Sequence, residues 1–294
     1  MRAGLACFLS LAVGASACSD DNSARPQGLQ CDDAGPCGSN STGSQGGGGG
    51  GGGGGRTDAG FLDGGALINV NGTVLGVTEV PVTPSTGTVG LSAWTISSVQ
   101  DPSLAAASIA DGTFSLVGIP TVVLPGTGQG YYGLLATAPP GDYFGSYRTY
   151  AASATTPIVQ AVSVTALQSA LFMAGGATPD SALGQIIVSL RSSADSTAQG
   201  VANVVVSTGS ALTFYDSSAS PGQLFATDTG TGPAGFALVL NVAGSLTGTP
   251  VTLSLQSSTA GVTVSPSSVQ TLVFTRAVTW LDVVTTTTGT PVTP

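Results

Sequence analysis

Histidine and lysine are absent from this chain of 294 residues, glutamate occurs once, at Glu79, and charged residues make up only 7% of it. Each absence removes a class of chemistry. Ser-His-Asp triads, Cys-His pairs and histidine metal clusters need an imidazole, while Schiff bases and P-loop phosphate binding need a lysine. The arginines (Arg2, Arg25, Arg56, Arg148, Arg191, Arg276) lie far apart, and the formal net charge is −9. There is therefore no basic footprint for nucleic acid. No later segment reaches the ~18 consecutive apolar residues that a spanning helix needs. The expectation is a chain without enzymatic activity, cofactor or bound metal.

Glycine, by contrast, is abundant, with 44 residues of which Gly46 to Gly55 are consecutive. From Ser19 to Gly60 the chain is Ser, Asn, Gln, Asp, Pro and Gly with almost nothing to bury, so residues 18–60 are expected to form a disordered tether. A Gly-rich coil of about 42 residues has a mean reach of about 35 Å. The glycine run lacks the flanking strand, helix and lysine of a phosphate loop, so its chemistry is freedom of position.

The opening MRAGLACFLSLAVGASAC has a basic residue, Arg2, an apolar stretch through Val13, and small residues at Ala15, Ser16 and Ala17 before Cys18. By layout, residues 1–17 are a secretory signal peptide. The segment resembles the lipobox of bacterial lipoproteins, with Ala15 where that family more often has Leu. The resemblance implies that Cys18 is acylated, becomes the mature N-terminus and attaches the protein to a membrane through lipid alone. Ser19, rather than an aspartate, follows Cys18, which by analogy with lipoprotein sorting points to the outer membrane or cell surface. A plain signal peptide beside a free cysteine is the alternative. Cys31 and Cys37, in CDDAGPC, are expected to pair as a disulfide outside the cytoplasm. A metal site with Asp32 and Asp33 competes, but lacks the usual zinc spacing.

After Phe61 the pattern changes to short, alternating, β-branched segments between Gly, Pro, Asp and Ser turns. In LINVNGTVLGV, Ile68, Val70 and Val74 share one face; in TPVTLSLQ, Val251, Leu253 and Leu255 face in while Thr252, Ser254 and Gln256 face out. Period-two alternation means half-buried strands. The expected fold class is all-β, with two tandem Ig/prealbumin-like β-sandwiches over 61–165 and 183–294. A connector over 166–182 carries one short helix, in TALQSALFMAGG. There Thr165 and Gln168 form a capping-box pattern, Leu167, Ala170, Leu171 and Ala174 recur at helical spacing, and Gly175 and Gly176 supply a stop. The competing reading extends the preceding strand through LFM.

The two halves resemble each other. ASIADGTFSLVGIP (107–120) and ATDTGTGPAGFALVLNV (226–242) both run from polar turn residues through Gly into Phe-x-Leu, at Gly112, Phe114 and Leu116 and at Gly235, Phe236 and Leu238. The first phrase, with Asp111, Gly118, Ile119, Pro120, Gly130 and Tyr132, is similar to the carboxypeptidase regulatory-like family of prealbumin-like sandwiches. In the second, GVANVVVS (200–207), Asp228 and Phe236 fit that pattern, and the closing Gly-x-Tyr is missing. The resemblance implies a surface-protein module. Related collagen-adhesin repeats stiffen themselves with a Lys-derived isopeptide bond, which a chain without lysine cannot form.

The stretch YYGLLATAPPGDYFGSYRTY (131–150) holds five of the six tyrosines. Aromatics beside an arginine can stack on sugars or anchor a protein partner, so Tyr131, Tyr143, Phe144, Tyr147, Arg148 and Tyr150 are the candidate ligand-binding residues. The alternative is that they cover and fill a sandwich. Asp195, Asp216 and Asp228 are too isolated to promise calcium coordination; Asp111 and Asp228 are expected to shape turns. The function expected is a lipid-anchored cell-envelope protein with a structural, adhesion or scaffolding role. Its partners are a membrane through the lipid, and an envelope glycan or another surface protein. The alternative is a carbohydrate- or peptide-binding module.

Overall fold

Alternating segments become strands wherever one face meets a core. The computed structural model describes residues 65–77, 80, 89–123, 128–175, 177–193, 198–209, 211–216 and 225–289. The signal segment, the tether, Cys18 and the Cys31 and Cys37 pair lie outside the described residues. The first half contains β1 (Leu67–Val77), β2 (Val89–Gly90), β3 (Thr95–Ser98), β4 (Ala105–Ala107), β5 (Thr113–Pro120), β6 (Val122–Val123), β7 (Gly130–Thr137), β8 (Gly145–Ala151) and β9 (Ile158–Val162). The second contains β10 (Gly184–Arg191), β11 (Val204–Ser207), β12 (Leu212–Asp216), β13 (Phe225–Ala226), β14 (Phe236–Val242), β15 (Thr249–Ser257), β16 (Thr263–Ser265), β17 (Ser268–Val273), β18 (Ala277–Val284) and β19 (Thr286–Thr288). Between them lies α1 (Val164–Ala170), continued by a 3₁₀ turn at Phe172–Ala174.

The fold is all-β, with two β-sandwiches. In the first, β1, β5 and β9 face β3, β7 and β8 across a core of Val70, Val74, Trp94, Phe114, Tyr132 and Val159. In the second, β10, β14 and β18 face β11, β15 and β17 across a core that includes Ile186, Val188, Val239, Leu253 and Val269. The two sandwiches share a sheet. Parallel pairing of β18 with β8, Ala277 opposite Gly145 through Trp280 opposite Arg148, fuses them into one ten-stranded sheet of order β13-β12-β14-β10-β18-β8-β7-β3-β4, with β6 as the tenth strand beside β7.

That fusion explains why GQIIVSL and FALVLNV carry so little polar alternation: β10 is buried through Leu190, and five successive residues from Phe236 are buried in β14. A strand covered on both faces reads as a continuous apolar run. Alternate residues serve different cores: Ile186 and Val188 point into the second sandwich, whereas Ile187, Leu238, Val278 and Trp280 pack on the opposite side with α1.

The expected helix is present, and the strand alternative for this segment is excluded. Leu167, Ala170, Leu171 and Ala174 are all buried, as their spacing requires. The start differs in detail: Ser163, not Thr165, is the N-cap, its hydroxyl accepting from Ala166 N at 3.0 Å. Gly175 ends the segment at φ 72°, a left-handed conformation that favours glycine. The helix is also more than a connector. It lies in one core with Val77, Phe144 and Val162 from the first half and Phe214, Phe225, Phe236 and Trp280 from the second. Burying Leu167 and Leu171 contributes about 1.5–3 kcal/mol each.

The similarity of the halves is structural as well as sequential. β1 is antiparallel to β5 and parallel to β9, and β10 is antiparallel to β14 and parallel to β18. Val74 N donates to Gly112 O (2.8 Å) and Leu91 N to Val74 O (3.0 Å); Leu190 N donates to Gly235 O (2.8 Å) and Val201 N to Leu190 O (3.0 Å). A hydroxyl ties each corner together. Ser108 Oγ accepts from Trp94 N and donates to Leu91 O, and Thr231 Oγ1 accepts from Val204 N and donates to Val201 O. The bulges repeat too. Asn69 Oδ1 accepts from Gly118 N at 3.0 Å, and Gln185 Oε1 accepts from Asn241 N at 2.8 Å.

Gly112 (φ 82°) and Gly235 (φ 73°) are required at these corners, since a Cβ on either would lie 2.4 Å from a carbonyl oxygen, of Val74 or Leu190. GVANVVVS is only half strand, because Gly200 packs against Ala234 and Asn203 turns the chain at φ 61° before β11 begins.

Candidate functional site

Most of the candidate ligand-binding residues are interior. Tyr131 and Tyr147 are each 3% exposed, Phe144 1% and Tyr150 9%. β7 and β8 lie inside the shared sheet, so these rings point into cores on either side, as in the alternative that they fill a sandwich. Phe144 joins the helix core, Tyr150 stacks on Tyr132 at 5.5 Å, and Tyr147 tilts against Phe274 at 4.9 Å. The hydroxyls are engaged as well: Tyr150 donates to Ile158 O (2.8 Å) and Tyr132 to Ala154 O. Burial raises Tyr132 and Tyr147 above the ordinary phenol range and pushes Tyr150 up to about 12.

Arg148 sits where the two halves join. Its guanidinium pairs with the Asp282 carboxylate of β18, donates to Gln160 Oε1 at 3.3 Å and lies 5.8 Å from the Tyr150 ring centroid. Trp280 Nε1 donates to Gln160 O at 3.1 Å, so Gln160 binds both an arginine and a tryptophan across the seam. Burial is the largest single influence and works against the Arg148 charge, but the attraction and hydrogen bond of Asp282 together with Tyr150 outweigh it, and the guanidinium is raised. Arg148, one of the candidate residues, ties β8, β9 and β18 together.

Two carboxylates, Asp111 and Asp216, serve turns. Asp111 Oδ1 accepts from Thr113 N (3.0 Å) and Thr113 Oγ1 (2.6 Å), as expected, and these bonds hold its carboxyl below the ordinary range. In the second half the corresponding work is done by Asp216 of β12, which accepts from Gly232 N, Ala234 N and Phe236 N, each at 2.9 Å. Burial raises this carboxyl, against the lowering effect of those three amides. Asp228 is exposed, and Asp195 lies outside the described residues. Among the described residues no three His, Cys, Asp or Glu side chains gather into a metal-binding group, and no helix is long and apolar enough to cross a membrane.

Another candidate, Tyr143, is half-buried. It lines a cleft of about 280 Å³ with Leu135, Leu246, Phe274, Arg276 and Ala277, so that both halves contribute walls. Its ring meets Trp94 edge-on with centroids 6.0 Å apart, which fixes its orientation. Arg276 occupies the tight β17–β18 turn at φ 59°, and its carbonyl accepts from Gly145 N at 2.7 Å. Sequence reasoning missed Arg276, Phe274 and Leu246 because they lie some 100 residues or more beyond Tyr143 and reach it only through the β8–β18 pairing.

No family model matches the sequence, and no curated protein does. Among solved structures the chain is similar to the Bacillus anthracis TIE protein at 11% identity, covering 75% of this chain and 34% of that one with a TM-score of 0.22. It is similar to the minor pilin GBS52 of Streptococcus agalactiae at 9% identity, covering 76% and 99% with a TM-score of 0.24. It is likewise similar to the shaft pilin SpaA of Lactobacillus rhamnosus GG at 11% identity, covering 78% and 100% with a TM-score of 0.23. The chain thus spans about a third of the length of the anthrax protein.

Proposed function

We propose that the chain is a non-catalytic, lipid-anchored cell-envelope protein. It displays two carboxypeptidase regulatory-like β-sandwich modules, 61–165 and 183–294, on a flexible Gly-rich tether. The role is structural: adhesion or scaffolding at the outer membrane or cell surface. The observation that carries this reading is Cys18 behind Ala15, Ser16 and Ala17 at the end of an apolar leader, followed by a tract with nothing to bury. The folded body supports the non-catalytic part, since Asp111, Asp216 and Asp282 hold turns and the seam rather than facing a common cleft. The test is incorporation of radiolabelled palmitate into the full chain. Label is expected in the wild type and absent from Cys18→Ala; label that persists in the variant overturns the anchor.

A ligand-binding role is the second reading, favoured by one observation: the cleft at Tyr143 is built from both halves and has a cation on its rim.

A further inference from the structure

We propose that the cleft between Tyr143 and Arg276 docks a peptide segment of a partner protein, one that presents an aromatic side chain next to a carboxylate. The proposal deepens the ligand-binding reading and is independent of the lipid anchor, so peptide binding and palmitate labelling fail separately.

Size and lining define the first half of the ligand. About 280 Å³ is at or below the lower end of small-molecule sites and suits a single large side chain. Its floor is apolar, from Leu135, Phe274 and Ala277, and Tyr143 forms an aromatic wall already held by Trp94. A ring inserted there meets a surface that loses little freedom on binding, which is how rigid tyrosines act as anchors. On the rim, Leu246 is 84% exposed. Leu246 thereby carries the apolar lining of the cleft out onto its rim as one continuous patch, the kind of surface that faces a partner.

Charge defines the second half. Among the described residues Arg148 and Asp282 form the salt bridge, and Arg276, exposed at the mouth of the cleft, has no ion-pair partner. In a chain of net charge −9, an unpaired guanidinium at the edge of an apolar cleft is complementary to an external carboxylate. A sugar fits less well. Polar groups in the lining are few beyond Arg276, chiefly Thr137 and Thr275, and the Thr275 hydroxyl is enclosed without a partner. The several hydroxyls of a pyranose would lose water here without replacement hydrogen bonds.

The experiment titrates the full-length protein with acetyl-Gly-Phe-Asp-Gly-amide and with its Phe-Asn counterpart. Binding is read by calorimetry and by the fluorescence of Trp94, which touches the cleft wall. The Asp peptide is expected to bind about 10-fold more tightly than the Asn peptide, the scale of one charge-assisted contact. Arg276→Gly, which suits the left-handed φ of that turn, should erase the difference, and Leu246→Asp at the exposed rim should weaken both peptides. Both variants are expected to melt with the wild type. Equal binding of the two peptides, unchanged discrimination in Arg276→Gly, or no binding of either peptide overturns the proposal. So does a neutral oligosaccharide that binds the cleft regardless of Arg276.

Discussion

Replacing Leu167 with alanine tests whether the two sandwiches are one cooperative body. Leu167 is fully buried in α1, and its core contains residues of both halves, including Val77 and Phe144 on one side and Phe236 and Trp280 on the other. Removing a fully enclosed leucine side chain costs about 2–5 kcal/mol, set by how far the surroundings collapse. The neighbours here are mostly strand residues held in a ten-stranded sheet, which limits collapse and favours a middle value of about 3 kcal/mol. For a body of this size that corresponds to a loss of about 6–12 °C in melting temperature. Pulsed hydrogen exchange in urea, followed by mass spectrometry of peptides from β5 and β14, reports the halves separately. The shared core requires both peptides to lose protection at one midpoint in the wild type, and both midpoints to fall together in Leu167→Ala. Two wild-type transitions, or a shift confined to one peptide, would refute the claim that the halves unfold as a unit.

Four further outcomes follow from the same geometry. Gly112→Ala and Gly235→Ala should each destabilise by at least about 1–3 kcal/mol in chemical denaturation, and by similar amounts, because both place a Cβ 2.4 Å from a carbonyl oxygen at equivalent corners. Ala93 holds φ 63° where the second half has Asn203 at φ 61°; since alanine is disfavoured there, Ala93→Asn should stabilise by about 0.5–1 kcal/mol. Arg148→Met removes the partner of Asp282 and should cost about 1–3 kcal/mol, partly recovered in Arg148→Met with Asp282→Leu, as a double-mutant cycle would measure. Alkaline pH should unfold the protein cooperatively. Tyr150 holds its proton in the folded state up to about 12, whereas unfolded tyrosine ionises near 10. The folded state therefore binds more protons across that window, and stability falls as pH rises, by up to about 1.4 kcal/mol per pH unit for each such tyrosine. Absorbance of tyrosinate at 295 nm should then rise together with loss of far-ultraviolet circular dichroism; ionisation of the buried tyrosines ahead of unfolding would contradict their burial.

Much of the fold was readable from local pattern because local pattern is what a half-buried strand or amphipathic helix imposes. Val70, Val74, Leu253 and Leu255 face inward at period two, and Leu167, Ala170, Leu171 and Ala174 at helical spacing. The corners repeat because Gly112 and Gly235 answer the same backbone demand. The tyrosine-rich stretch left two readings open, since composition does not say whether β8 is an edge or an interior strand. Asp216 was likewise hidden: it serves a turn 16 to 20 residues away, so nothing adjacent marks its role.

The amino-acid sequence by itself determined the all-β class, the position of the helix, the repeat of the two halves and the chemistry that a chain without histidine or lysine cannot perform. Those properties depend on residue type and short-range spacing. Tertiary structure alone decided that the halves share one sheet, that Arg148 answers Asp282 across it, and that Tyr143 and Arg276 frame a cleft. Each depends on the parallel register of β8 with β18, a pairing across about 130 residues that no local periodicity specifies, because it is selected by the apolar area that α1 and both sheets bury together.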